Sequence, residues 1–154
     1  MKPLETTVEE VLRKAIQAEI DTRAYYQMMA ERGATPAVRQ RMLQLADAEL
    51  LHRAKMERKY RKAVGKGPPD PEVPNVELPS DFVNVDMARA LKHALERERD
   101  SESYFRFMAE RVPGTELGVL FMELAEIEWK HKTDLQAEYD ASTPDRPDQF
   151  LFDL

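Results

Sequence analysis

The chain has 154 residues, a formal net charge of −6, 34% charged residues and no cysteine. That length suits one compact domain with a real core. The acidic balance excludes bulk electrostatic capture of nucleic acid, and the lack of thiols excludes disulfides, iron–sulfur clusters and thiolate metal sites. No apolar run is long enough to span a membrane, and the N-terminus "MKPLETTVEEVLRKA" is too charged for a signal peptide, so a cytoplasmic protein with no membrane association is expected.

Abundant Ala, Leu, Glu and Arg with only five glycines predict an all-helical protein. A first helix is expected from Thr7, with Glu10 completing a capping box, to Gly33. Its inward positions recur as Leu12, Ile16, Glu19, Arg23, Tyr26 and Ala30, in steps of four and three. Thr35 and Pro36 open a second helix as N-cap and first helical residue. It runs to about Val64, where "GKGPPDP" breaks it. Residues 65–84 form a proline-rich connection. A third helix is expected from Asn84 or Asp86 to about Val112 and, after a "PGT" turn, a fourth to about Asp140. An extended tail, 141–154, follows.

The expected organisation is therefore a single domain: hairpin 7–64, crossover 65–84, hairpin 85–140. Twenty structureless residues are unusual inside a compact domain. At roughly 3.3 Å per residue they can run the length of a helical bundle.

The two hairpins repeat each other. Leu12, Ala15, Glu19, Asp21, Tyr25, Met29, Ala30, Glu31 and Arg32 match Leu91, Ala94, Glu98, Asp100, Tyr104, Met108, Ala109, Glu110 and Arg111, each 79 residues later (98 − 19 = 79). The same offset carries Glu49 and His52 onto Glu128 and His131, with no gap. Two copies do not make a solenoid, and each is too small to be stable alone. A duplicated hairpin packed about a pseudo-twofold axis is expected.

Glu and His at i and i+3 share a helix face. Glu19 and Glu98 interrupt otherwise apolar stripes, and a buried carboxylate is costly unless a cation accompanies it. Duplication then brings four carboxylates and two imidazoles together. Oxygen and nitrogen donors without sulfur suit iron or manganese, and two divalent ions balance four carboxylates. One Glu from each of two helices and Glu-x-x-His from each of the other two is the ligand pattern of di-iron carboxylate bundles. A bundle with buried Glu–His pairs and no metal is the structural alternative.

These residues resemble the ferritin-like superfamily, and most closely its rubrerythrin-like branch. "AxxELLH" around Glu49, and Glu19 followed seven residues later by Tyr26, carry the resemblance up to about residue 140. It implies a ferritin-like four-helix bundle of two antiparallel hairpins joined by a long crossover. It also implies two iron ions, with manganese or a mixed pair as alternatives, held by Glu19, Glu49, His52, Glu98, Glu128 and His131, with Glu49 and Glu128 bridging. Rubrerythrins usually carry a further glutamate where this chain has Ser101, and a four-cysteine rubredoxin domain that this chain cannot supply. The electron donor is then an external protein. Tyr26 is expected beside the ligands, as a hydrogen-bonding residue or an electron source; its counterpart is Phe105.

Arg23 and Glu102 occupy matched inward positions and are expected to pair, with Glu102 as a seventh ligand the alternative. His93, which lacks a histidine partner in the repeat, is expected at the surface. Leu50 and Trp129, matched and off the inward stripe, would widen the core or face a partner in a homodimer. The apolar tail "DQFLFDL" is expected to dock on its own bundle or a neighbour. Four functions fit this reading: reduction of hydrogen peroxide or dioxygen, Fe(II) oxidation for iron handling, non-catalytic metal binding, and hydroxylation of an organic substrate in an adjoining cavity.

Overall fold

A computed structural model describes residues 7–143. They form four helices: α1 Val8–Glu31, α2 Pro36–Val64, α3 Met87–Arg111 and α4 Glu116–Ser142. The chain divides into two compact units, Met1–Asp86 and Met87–Leu154. Each is built on an antiparallel helix pair, α1 with α2 and α3 with α4.

In the first unit the helix ends follow the sequence signals. Thr7 Oγ1 accepts from the Glu10 N–H at 3.1 Å, and Thr35 Oγ1 accepts from the Val38 N–H at 3.3 Å. Each satisfies one of the N–H groups that a helix start leaves without a partner. Gly65 closes α2 at φ 85°, a left-handed conformation that favours glycine, and its N–H donates to the Arg61 carbonyl.

The crossover then returns along the hairpin. Midway, the Gln17 amide imitates a strand partner. It donates to the Glu72 carbonyl at 3.1 Å and accepts from the Glu72 N–H at 2.9 Å. At the far end Val85 forms a parallel bridge with Gly33 in the α1–α2 turn. Ala34 N–H donates to the Val85 carbonyl at 2.8 Å, and Val85 N–H donates to the Arg32 carbonyl at 2.9 Å. Phe82 and Val85 are buried beside it. The long connection is thus ordered by hydrogen bonds at its middle and its end. Val85 is committed to the bridge, so α3 begins at Met87, slightly later than the sequence suggests.

The second unit turns at Pro113–Thr115. Gly114 takes φ 71°, and Thr115 Oγ1 accepts from the Gly118 N–H at 3.0 Å while donating to the Val112 carbonyl at 2.6 Å. Leu91, Leu95, Phe121, Leu124 and Leu135 are buried in it, with Phe105 stacked at a tilt on Phe121, 6.5 Å between centroids. Among the described residues no helix is long and apolar enough to cross a membrane.

Candidate metal centre

Each unit carries one cluster of two carboxylates and an imidazole. In the first, Glu19 comes from α1, and Glu49 and His52 come from one face of α2. His52 Nδ1 lies 3.5 Å from Glu49 Oε2 and 3.9 Å from Glu19 Oε2. In the second, Glu98 comes from α3, and Glu128 and His131 from α4. His131 Nδ1 lies 3.5 Å from Glu98 Oε2 and 3.7 Å from Glu128 Oε2. All four glutamates are buried and both histidines half-buried. One donor atom each from Glu98, Glu128 and His131 falls within 4.8 Å of the others, close enough to share one ion.

Local sequence explains the convergence. The i, i+3 spacing puts each Glu–His pair on one face of its helix. Glu19 and Glu98 lie on stripes whose other members, Ala15, Ile16 and Tyr26, or Ala94, Leu95 and Phe105, are buried. Packing those apolar neighbours against the paired helix carries the carboxylates inward with them.

Burial without metal forces protons onto the second cluster. Burial, and then the neighbouring Glu98 carboxyl, push Glu128 up to about 9. For His131 the largest influence, burial, opposes the charged form, but hydrogen bonds and charge from Glu128 and Glu98 outweigh it and raise the imidazole to about 10. A divalent cation would replace those protons, and the donor set fits one: buried carboxylate oxygens and an imidazole nitrogen, with no sulfur, are the donors of iron and manganese sites.

Tyr26 is fully buried, with its ring edge-on to Tyr25 at 5.8 Å. Glu102 departs from expectation. Its carboxylate accepts from Arg106 Nε at 2.6 Å and meets Lys132 Nζ at 2.5 Å, and Arg106 also reaches Glu126 at 3.3 Å. Burial raises its pKa, but these two cations outweigh it and hold the carboxyl below its ordinary value. Glu102 thus has two partners within its own unit, Arg106 one helical turn along α3 and Lys132 on α4. The Glu102–Arg106 spacing of four was legible as a helical ion pair; the contribution of Lys132 from the other helix was not. Both Glu102 oxygens are held by cations, an arrangement that does not favour ligation.

Leu50 and Trp129 are 39% and 45% exposed, so neither widens the core. His93 is half-buried rather than fully at the surface. The tail expected to dock, 144–154, lies outside the described residues. A cavity of about 330 Å³ opens between α1, α2 and the crossover. Its wall includes Ile16, three residues before Glu19, and Arg53, next to His52.

Comparison with known proteins agrees with this construction. The family model described as Rubrerythrin matches residues 10–139. A hypothetical protein from Pyrococcus furiosus has a similar structure, with a TM-score of 0.58 and 26% sequence identity over 91% of this chain and 95% of that one. No curated protein matches the sequence. The fold is all-α and ferritin-like. With a family match that runs through both hairpins and all six Glu and His positions, the chain belongs to the rubrerythrin family.

Proposed function

We propose that this protein is a non-haem di-iron oxidoreductase that reduces hydrogen peroxide or dioxygen with electrons from an external donor protein. The observation that carries the reading is the pair of matched Glu/Glu/His clusters, one per unit, each with buried carboxylates and a half-buried imidazole. Glu19, Glu49 and His52 would hold one ion, and Glu98, Glu128 and His131 the other. Two bound ferrous ions would together supply two electrons, one from each metal. Reducing one peroxide to two waters takes two electrons and two protons, and reducing dioxygen takes four of each. The chain has no cysteine to supply them, so reduction comes from a partner. Tyr26, buried seven residues beyond Glu19 on the same helix, would orient the ligand shell through its hydroxyl. We further propose a homodimer joined through the exposed side chains of Leu50 and Trp129, acting in the cytoplasm.

The test is anaerobic loading with Fe(II), followed by rapid mixing with peroxide or dioxygen. Oxidation much faster with peroxide supports peroxide reduction. Preference for dioxygen with continued iron uptake supports a ferroxidase instead. A protein that takes up no Fe(II) defeats both. A second reading, oxygenation of a small organic molecule, is favoured by the cavity at Ile16 and Arg53. Its mark would be product formation coupled to dioxygen consumption, suppressed by Ile16→Trp.

A further inference from the structure

The repeat makes the two clusters directly comparable, and their surroundings differ at one layer. In the second unit Glu102 lies four residues beyond Glu98 on α3, and Lys132 directly follows His131 on α4. Their side chains meet at 2.5 Å. This ion pair fastens α3 to α4 beside the ligands that those helices must hold together. Arg106 and Glu126 extend it into a network of two acidic and two basic groups with no net charge.

At the offset of 79, the equivalent positions in the first unit are Arg23 and Arg53 (102 − 79 = 23; 132 − 79 = 53). Two guanidinium groups cannot form a bridge. Arg53 instead pairs with Glu57 on its own helix at 2.7 Å. Gln27 stands where the second unit has Arg106 (106 − 79 = 27). Among the described residues, these equivalent positions thus make no such brace between α1 and α2, and Arg23 places a positive charge one turn from Glu19.

Both differences act in one direction. Sliding one helix past the other by a single residue shifts its ligands by about 1.5 Å, enough to break a metal–ligand bond, and a brace at the ligands resists that slip. A cation near the first cluster also repels an incoming dication. The geometry agrees: the contact between helices is 3.5 Å for His131 with Glu98 but 3.9 Å for His52 with Glu19.

We infer that the Glu102–Lys132 bridge is a positioning device that makes the Glu98–Glu128–His131 cluster the first to take a metal ion, ahead of Glu19–Glu49–His52. The inference rests on the two-metal reading above.

The test is calorimetric titration of the metal-free full chain with Co(II), with the visible Co(II) spectrum recorded in parallel. Two resolved steps, one ion each, are expected. His131→Ala should abolish the tighter step, and His52→Ala should leave it. Lys132→Met should weaken the tighter step by on the order of 10–100-fold, the usual effect of losing a residue that supports a metal ligand, and leave the weaker step unchanged. Lys132→Arg should restore the tighter step. Glu102→Gln repeats the loss from the other side of the bridge, and circular dichroism confirms that each variant is folded. Two indistinguishable steps in the native protein would overturn the inference while leaving the two-metal reading intact. So would loss of the tighter step in His52→Ala, or equal weakening of both steps in Lys132→Met. Absence of any Co(II) or Fe(II) binding would overturn both.

Discussion

Burial pushes Glu128 up to about 9; for His131 burial acts the other way, but contact with Glu128 and Glu98 prevails and raises it to about 10. Both values lie above the ordinary ones, so the cluster as a whole favours retaining protons at neutral pH before metal binds. A raised folded-state pKa stabilises the fold below the unfolded value and ceases to do so as pH rises through the folded value. These windows run from 4.5 to about 9 for Glu128 and from 6.5 to about 10 for His131. The Tm of the metal-free protein should therefore fall as pH rises from neutral into that range. Metal needs the deprotonated ligands, so loading at neutral pH should release protons and tighten with rising pH. Calorimetry in two buffers of different ionisation enthalpy measures the release, and a value of zero would contradict the assignment. Glu102 has the opposite sign. Lys132 and Arg106 hold it below 4.5 against the effect of burial, so its contribution exists above that pH and disappears in acid. Glu102→Gln should cost about 1–3 kcal/mol at neutral pH, with the difference from the native chain vanishing on acidification in a pH series of urea melts.

At the scale of elements, the helix starts and the crossover behave differently. Thr35→Ala and Thr115→Ala each remove a cap acceptor and should each cost about 1 kcal/mol in chemical denaturation. The crossover depends on Gln17, whose amide makes both hydrogen bonds to Glu72. Gln17→Ala should raise the rate of proteolytic cleavage within residues 66–78 while α1 and α2 stay intact, as read by mass spectrometry of the fragments. Equal protection in the variant would show that the segment is held by its ends, where Val85 bridges the α1–α2 turn.

For the whole molecule, metal is expected to act as a fold ligand. Two buried clusters of like-charged groups oppose folding unless protonated or occupied, and an ion that binds only the native state raises stability in proportion to its excess over Kd. Chelation should lower Tm, and adding Fe(II) or Mn(II) anaerobically should restore it. A Tm insensitive to chelation would favour a metal-free bundle. The proposed dimer has its own check: Trp129→Arg, which alters an exposed side chain, should shift native mass from dimer to monomer without changing metal content.

The fold class, and the positions of the candidate ligands along the helices, were legible in the sequence. Helix boundaries were legible because caps and breakers act locally: Thr7, Thr35, Thr115 and Gly65 stand at or within a residue of the ends they marked. The six Glu and His positions were legible because duplication repeats them at one offset, and helical spacing alone puts each Glu–His pair on one face. What lay between helices was decided only by tertiary structure. That Lys132 and Arg106 are partners of Glu102 depends on which flexible side chains reach one carboxylate, and Lys132 comes to it from another helix. The bridge of Val85 to the α1–α2 turn joins residues about fifty positions apart. It shortened α3 because the Val85 carbonyl, which accepts from the Ala34 N–H, no longer serves as a helix-start acceptor. Spacing along a chain reports what a helix brings together within itself; packing chooses among the partners that several helices offer.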